Sequence, residues 1–528
     1  MVAEVVVIVD PVSTGGCVAA EAMDRGYRVV VVWCSEMTAE MRAHVPDRCR
    51  NLEYHAEVVE RGTITNTAAA VRAAAGGMPI IACIVGADTG ITLADHLSME
   101  LKVRTNGTLP LGDRRNKSVQ QRAVKAFGLR AVREVVGKTW GEVVGFVDQE
   151  PLPIVVKPVE SAGSDGVKLC RTTEEAEAHL RLLMHSQRRC GSQDAAVLCQ
   201  EFLKGSEYVV DHVSRDGIHK CVMVWLYDKR PANGSAFVYH SVIPVDSNTA
   251  VAKTLIKYTQ GVLNALKLYN GPSHGEVIMT SDGPCLVEMN CRCHGWDGAW
   301  IPLAKKLTGG YAQPEVALDA YVDGSAFAEV PSVYLSPFKA LGQLVVLVSF
   351  YSGVVKSTPG YDRMLKLTSF VALHTAVEIG SKVERTVDLF TAVGVLILAN
   401  SDPEKIEVDL MEVRKMEREG LFTFQEEEEE VVVSPTHSEP VPVWKWEPVI
   451  AVHIKSMVKR TVQNQLCTLV VAACGAGAPI VLRLIKVSLS ILCAVVFLHA
   501  GLDDKSALSF SRRPWDSIFA GMRRHLHI

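Results

Sequence analysis

Two short apolar runs that carry acids on a shared face constrain this 528-residue chain most. Residues 276–280 and 285–290 flank the turn sequence Ser281-Asp282-Gly283-Pro284 and read as a β-hairpin. Residues two apart in a strand project from one face, so Glu288 and Asn290 point together, and Glu276 on the neighbouring strand joins them. Arg292 continues that face. A charged hairpin face is ordinarily solvated, but Gly275, Val277–Met279 and Cys285–Val287 look buried. Buried acids need a cation. Two carboxylates and an amide oxygen are hard ligands suited to Mg²⁺, which retains waters and bridges to nucleotide phosphates. Arg292 can hold a transferring phosphoryl group or a carboxylate.

Two upstream segments carry related chemistry. Residues 154–157 read as a strand that delivers Lys157 to the small-residue loop Glu160-Ser161-Ala162-Gly163-Ser164-Asp165-Gly166. Such a loop can turn backbone N–H groups toward a phosphate, and the lysine adds a point charge. It is not a Walker A loop, since no Gly-Lys-Ser/Thr follows; alone, a lysine before a glycine turn is an ordinary surface feature. In Gln200-Glu201-Phe202-Leu203-Lys204-Gly205-Ser206-Glu207 a strand ends at an acid, bends at glycine and restarts with another acid. The bend can offer backbone groups to a purine edge, with one acid near the amino group and the other near ribose hydroxyls. An ordinary strand–turn–strand with exposed glutamates explains this segment equally well in isolation.

The chain opens on a β-α-β pattern: a strand over 4–9, a helix over 17–25 and a strand over 27–33, with further elements at 79–85 and 92–102. The Ser13-Thr14-Gly15-Gly16 turn does not complete G-x-G-x-x-G, and it reads as a tight strand-to-helix turn rather than a dinucleotide site. This first domain ends near residue 112. Helices are expected over 114–127, 170–187 and 250–266, and strands over 196–202, 207–213 and 221–227. Residues 340–424 read as a smaller α+β module with strands at 344–351, 383–389 and 394–399 and a charged helix over 402–419. Glu426–Glu430 and the prolines after it make a solvated linker, 426–445. In the tail, 446–528, apolar runs 466–482 and 487–502 are separated by Arg483 and Lys486. They read as a membrane anchor or hairpin, or as a buried helical pair.

With 55 basic and 59 acidic residues, the chain lacks the charge for a general grip on nucleic acid. Fourteen cysteines are too sparse for a disulfide scaffold and suit a reducing compartment. A cytoplasmic protein is expected, or one tethered by 466–502.

Taken in order, Lys117, Lys157, the glycine loop, Glu201–Glu207, Glu276, Glu288, Asn290 and Arg292 resemble the ATP-grasp superfamily, and within it the carboxylate–amine ligases, the group of L-amino acid ligases and carnosine synthase. Gly86-Ala87-Asp88-Thr89-Gly90, Leu93-Ala94-Asp95 and Arg114-Arg115-Asn116-Lys117 belong to the same resemblance, which covers about residues 4–425. It implies a mixed α/β and α+β ATP-grasp fold: a Rossmann-like preceding domain (1–112), a two-lobed core (113–330, lobes 113–205 and 206–330) and a C-terminal α+β module (331–425). Lys117 and Lys157 are implied to contact the nucleotide, and Ser161, Gly163, Ser164 and Gly166 to close over its phosphates. Glu201, Phe202 and Leu203 are implied to form the adenine pocket, and Glu207 to bind ribose. Glu276, Glu288 and Asn290 are implied to carry one or two Mg²⁺ (or Mn²⁺). Arg292, with Lys157, is implied to steady an acyl phosphate.

The implied activity is an ADP-forming ligase that activates a carboxylate with ATP and joins it to an amine, with a homodimer compatible with that reading. A ligase of nucleotide metabolism, or a nucleotide-binding scaffold without turnover, stands as the alternative. Asp228 and His240 are candidates for orienting the amine, and Trp296 and Trp300 for lining the pocket by their position after Arg292. Cys291, Cys293 and His294 surround Arg292, but their spacing fits no common structural zinc site.

Overall fold

Val5–Val9 (β1) is five aliphatic residues, every one buried, and it lies inside a parallel sheet. The computed structural model describes residues 3–43, 45–110, 112–159, 166–185, 196–375 and 377–425. Arg28–Trp33 (β2), Ala56–Val59 (β3) and Ile80–Val85 (β4) complete that sheet in the order β3-β2-β1-β4. Helices Thr14–Asp24, Ile64–Ala74 and Ile91–Leu101 connect and cover it. β3 and helix Ile64–Ala74 go beyond the expected elements. β3 has one buried residue in four, and the helix buries only Thr67, Ala68 and Val71, so neither carries a strong apolar pattern.

A second sheet is antiparallel. Glu134–Gly137 (β5), Ile154–Pro158 (β6), Lys168–Cys170 (β7) and Val197–Glu201 (β8) lie in the order β5-β8-β6-β7. Helices Trp140–Val147 and Thr173–His185 bury Val143, Val147 and Leu180 against it. The helix expected from residue 170 starts instead at Thr173. Cys170 is paired with Ile154 as the last residue of β7, and the Thr172 hydroxyl accepts the Glu175 N–H at 3.2 Å, capping the helix.

The third sheet holds Gly205–Arg215 (β9), Ile218–Ala232 (β10), Ser235–Pro244 (β11), Gly271–Thr280 (β12), Gly283–Asn290 (β13) and Leu341–Leu347 (β14). After Gly353–Ser357 (β15), the chain adds Phe370–His374 (β16), and after Lys382–Val383 (β17) it adds Gly394–Asn400 (β18). The eight-stranded order is β13-β12-β9-β10-β11-β14-β18-β16. This sheet therefore runs unbroken across residue 330. β15 pairs with β17 on one side and with Thr423–Phe424 (β19) on the other in a small separate sheet. The strand expected over 383–389 stops at Val383, because the Thr386 N–H turns to the Ser349 carbonyl at 2.9 Å and leaves the ladder.

Helix Ala250–Ala265 packs Leu255, Val262 and Leu263 on one side of the large sheet, and helix Pro403–Glu419 packs Val413 and Met416 with Leu396 and Leu398 on the other. No helix among the described residues is long and apolar enough to cross a membrane. The linker, the tail and the runs at 466–502 lie outside the described residues.

Candidate active site

β12 and β13 pair as the sequence hairpin predicts, with Glu276 directly opposite Glu288. Asn290 donates its amide N–H to a Glu288 oxygen at 3.3 Å. Val277 and Leu286, paired on the opposite face, are fully buried, so this acid face sits on a packed floor. Glu207 is on the adjoining strand β9, in register with Ile278 and Tyr227. Three carboxylates and one amide thus share one face of neighbouring strands.

Each acid has a basic partner. Lys117, the first residue of helix Lys117–Ala126, reaches Glu288 at 2.7 Å. Lys229 reaches Glu207 at 2.6 Å, with its ammonium 4.3 Å from the centre of the Tyr239 ring. His274 stands 3.5 Å from Glu276. Burial alone would raise the Glu276 pKa, but His274, then Lys229 and Lys117, pull it down to about 2. Glu207 is raised instead, chiefly by burial against a weaker pull from Lys229. Lys157, near the close of β6 in the second sheet, lies within the field of Lys117, Glu288 and Glu276. Burial and then Lys117 lower its pKa to about 8, against an opposing pull from Glu288, Glu134 and Glu276.

Arg292 follows β13 and is clamped by Asp88 through its Nε at 2.9 Å and one Nη at 2.7 Å. Asp88 comes from the turn after β4, 204 residues away. That turn is fixed by close backbone approach: a Cβ on Gly15 would lie 2.5 Å from the Gly86 carbonyl oxygen, so these two positions must stay glycine. The Ser13-Thr14-Gly15-Gly16 turn also holds the loop beyond Arg292. Thr14 donates to the Gly295 carbonyl at 3.0 Å, and the Asp297 N–H donates to Ser13 Oγ at 3.1 Å. The first sheet thus grips the Arg292 loop from two sides.

Glu201 is 6% exposed, and its carboxylate is taken up by Arg130 at 2.8 Å and Arg133 at 2.7 Å. What it leaves facing the bend at 202–204 is main chain. Phe202 is half-buried and Leu203 buried. Gly166 has a φ of 69°, and its carbonyl lies 2.9 Å from His179 Nε2. Ser161, Gly163 and Ser164 lie outside the described residues.

Around the acid face, Tyr227 and Tyr239 meet edge to face at 5.2 Å, and Trp296 meets Tyr239 at 5.5 Å. Trp300 differs from the sequence expectation: it is 1% exposed, stacked on His294 at 5.1 Å, and belongs to the core. Asp228 is bound by Arg230 at 2.7 Å. His240 is the extra residue where the pairs Asp228–Ser241 and Lys229–Tyr239 shift register. Burial, then Arg414 and Arg230, lower its pKa to about 3. His294 does not group with Cys291 and Cys293; it meets Asp211 and His274, which lack any sequence motif. The resemblance places Tyr227 and Lys229 only in a segment on the substrate side and gives Asp88 no role, and His274 has no assignment from sequence. The signal that could have found His274 is its spacing, two residues before Glu276 on one strand.

Comparison with known proteins agrees with this geometry. The ATP-grasp domain family matches residues 150–299. Dapdiamide A synthase of Enterobacter agglomerans is 27% identical over 354 residues, covering 64% of this chain and 79% of that protein. Alanine–anticapsin ligase of Bacillus amyloliquefaciens is 23% identical over 350 residues, covering 60% and 72%. The crystal structure of L-amino acid ligase from Bacillus licheniformis superposes with a TM-score of 0.61 at 16% identity, covering 81% of this chain and all of that one. Residues 150–299 thus carry an ATP-grasp domain, and the chain is similar in sequence to carboxylate–amine ligases and in fold to an L-amino acid ligase.

Proposed function

We propose that the chain is an ATP- and Mg²⁺-dependent ligase that activates a small carboxylate as an acyl phosphate and joins it to an amine, giving an amino acid amide or dipeptide-like product with ADP and phosphate. The observation that carries this reading is the half-buried Glu276–Glu288 pair, in register and ringed by Lys117, Lys157 and Arg292. The donor set fits the ion: hard oxygens from two carboxylates and an amide, partly buried and beside cations that can turn to phosphates. Glu276, Glu288 and Asn290 would hold one or two Mg²⁺ (or Mn²⁺), which supplies charge neutralisation on the phosphates during transfer.

The ion pairs suggest how the site loads. Lys117 is held on Glu288 and Lys157 lies within its field. With nucleotide bound, Lys117 would be able to turn from Glu288 to phosphate oxygens beside Lys157, leaving Glu276, Glu288 and Asn290 to hold the ion, so that no charge is left unpaired. A carboxylate oxygen of the substrate then attacks the γ-phosphorus, and the bond to ADP breaks. The amine attacks the acyl carbon, and phosphate departs carrying the substrate's former oxygen. Arg292, preset by Asp88, stabilises charge on the acyl phosphate and its tetrahedral successor. The glycine loop would cover the phosphates, Phe202 and Leu203 would line the adenine pocket with the Glu201 main chain, and Glu207 would meet ribose. The ten described cysteines are all unpaired and buried, which supports a reducing, cytoplasmic setting.

The test is ADP release by the full-length protein with ATP and Mg²⁺ against pooled amino acids and small carboxylates. Release should depend on particular pools and fall about a hundredfold or more in Glu288→Ala. Release that is equal in wild type and Glu288→Ala would overturn the reading.

A further inference from the structure

Beside the acid face, farther along the same strands, lies a closed polar cluster that the ligase chemistry above does not use. Asp211 on β9 is 0% exposed. Its Oδ1 meets His274 Nδ1 at 3.0 Å. Its Oδ2 accepts from Trp225 Nε1 at 2.9 Å and meets His294 Nδ1 at 3.0 Å. The far nitrogens of the two imidazoles are also engaged. His294 Nε2 lies 3.2 Å from the Tyr227 hydroxyl, and His274 Nε2 lies 3.5 Å from Glu276 Oε1.

His274 Nε2 also lies 3.5 Å from the Tyr227 hydroxyl, so Tyr227 bridges the two rings. The buried Asp211 carboxylate would be costly without the donors around it. The same three side chains offer atoms within 4.8 Å of one another. They are already each other's partners, however, and this favours a scaffold over a second metal site.

We propose that His274, fixed by Asp211, is a positioning residue for the metal-binding carboxylate of Glu276. This rests on the reading of Glu276 as a metal ligand. A ligating carboxylate is oriented by the hydrogen bonds around it, and loss of such a partner commonly weakens metal binding about 10–100-fold. Asp211 sets the ring by Nδ1, and the ring sets Glu276 by Nε2.

The two nitrogens can be separated by substitution. Asparagine places an amide N–H near the Nδ1 position and keeps the link to Asp211; glutamine places one near Nε2 and keeps the link to Glu276. The measurement is direct Mn²⁺ binding to the full-length protein with ADP present, by electron paramagnetic resonance of free Mn²⁺. ADP affinity and a thermal melt are followed alongside. His274→Asn should weaken Mn²⁺ about tenfold or more with ADP affinity kept, and His274→Gln should stay within about threefold of wild type. Glu276→Asp, which shortens the carboxylate away from His274, should match His274→Asn, and the double variant should be no weaker than either.

Equal loss in the Asn and Gln variants, loss in Gln alone, or additive losses would overturn the proposal. Should the His274 variants not fold, unchanged Mn²⁺ affinity in Glu276→Asp does the same. Glu276→Gln separates the two readings. If it binds Mn²⁺ as wild type does, Glu276 is not a ligand and both fall; if it loses Mn²⁺ while His274→Asn does not, only the positioning role falls.

Discussion

Lys157 is a cation held where a cation is costly. Its side chain is buried beside a second ammonium, and the neighbouring carboxylates only partly offset that, so its pKa drops to about 8. The sign of the consequence is fixed by linkage. The unfolded chain keeps this proton up to about pH 10.5 while the folded one releases it near 8, so this group's contribution to stability rises with pH through that window. Nucleotide binding runs the other way. Phosphate oxygens favour the ammonium, so above about pH 8 binding must take up a proton and affinity falls, by at most about tenfold per pH unit. Isothermal titration of ATP analogues at pH 7, 8 and 9 should show that fall in wild type and a much flatter profile in Lys157→Met. A wild-type affinity unchanged between pH 7 and 9 would remove Lys157 from the phosphate site.

At the scale of elements, turns after parallel strands aim the chemistry of a distant hairpin. Asp88 lies just past the end of β4, and its carboxylate fixes the guanidinium that follows β13. In Asp88→Asn the fork loses its charged clamp while the nucleotide pocket keeps all its side chains. We expect kcat to drop about tenfold or more with ATP affinity unchanged, measured by steady-state ADP release and nucleotide titration. A loss of ATP affinity without loss of kcat would place Asp88 in a different role.

This coupling also marks where sequence stops being informative. The hairpin acids were legible because period-two alternation and a Gly-Pro turn fix the face within twenty residues. The order from Lys117 to Arg292 was legible as a family pattern. Asp88–Arg292 and Asp211–His274–His294 were not, because strand order and register bring them together and no local period encodes either. Trp300 was misjudged for the same reason. Nearness to Arg292 in the chain suggested the pocket, but a helix beginning at Ile301 turns its ring into the core. Glu201 was legible as an acid at a bend, but Arg130 and Arg133, which occupy its carboxylate, carry no signal of that contact.

Across the described residues, a parallel sheet, a small antiparallel sheet and an eight-stranded sheet meet at one acid face in which each carboxylate has a basic partner. Activation of a carboxylate by phosphorylation at this face leaves an isotopic signature. Once the pooled screen has identified a carboxylate substrate, that substrate is labelled with ¹⁸O in both carboxylate oxygens and the phosphate is analysed by mass spectrometry after turnover. One ¹⁸O is expected in each inorganic phosphate released, with ADP as the nucleotide product. Label appearing in AMP, or unlabelled phosphate accompanying amide formation, would contradict that activation.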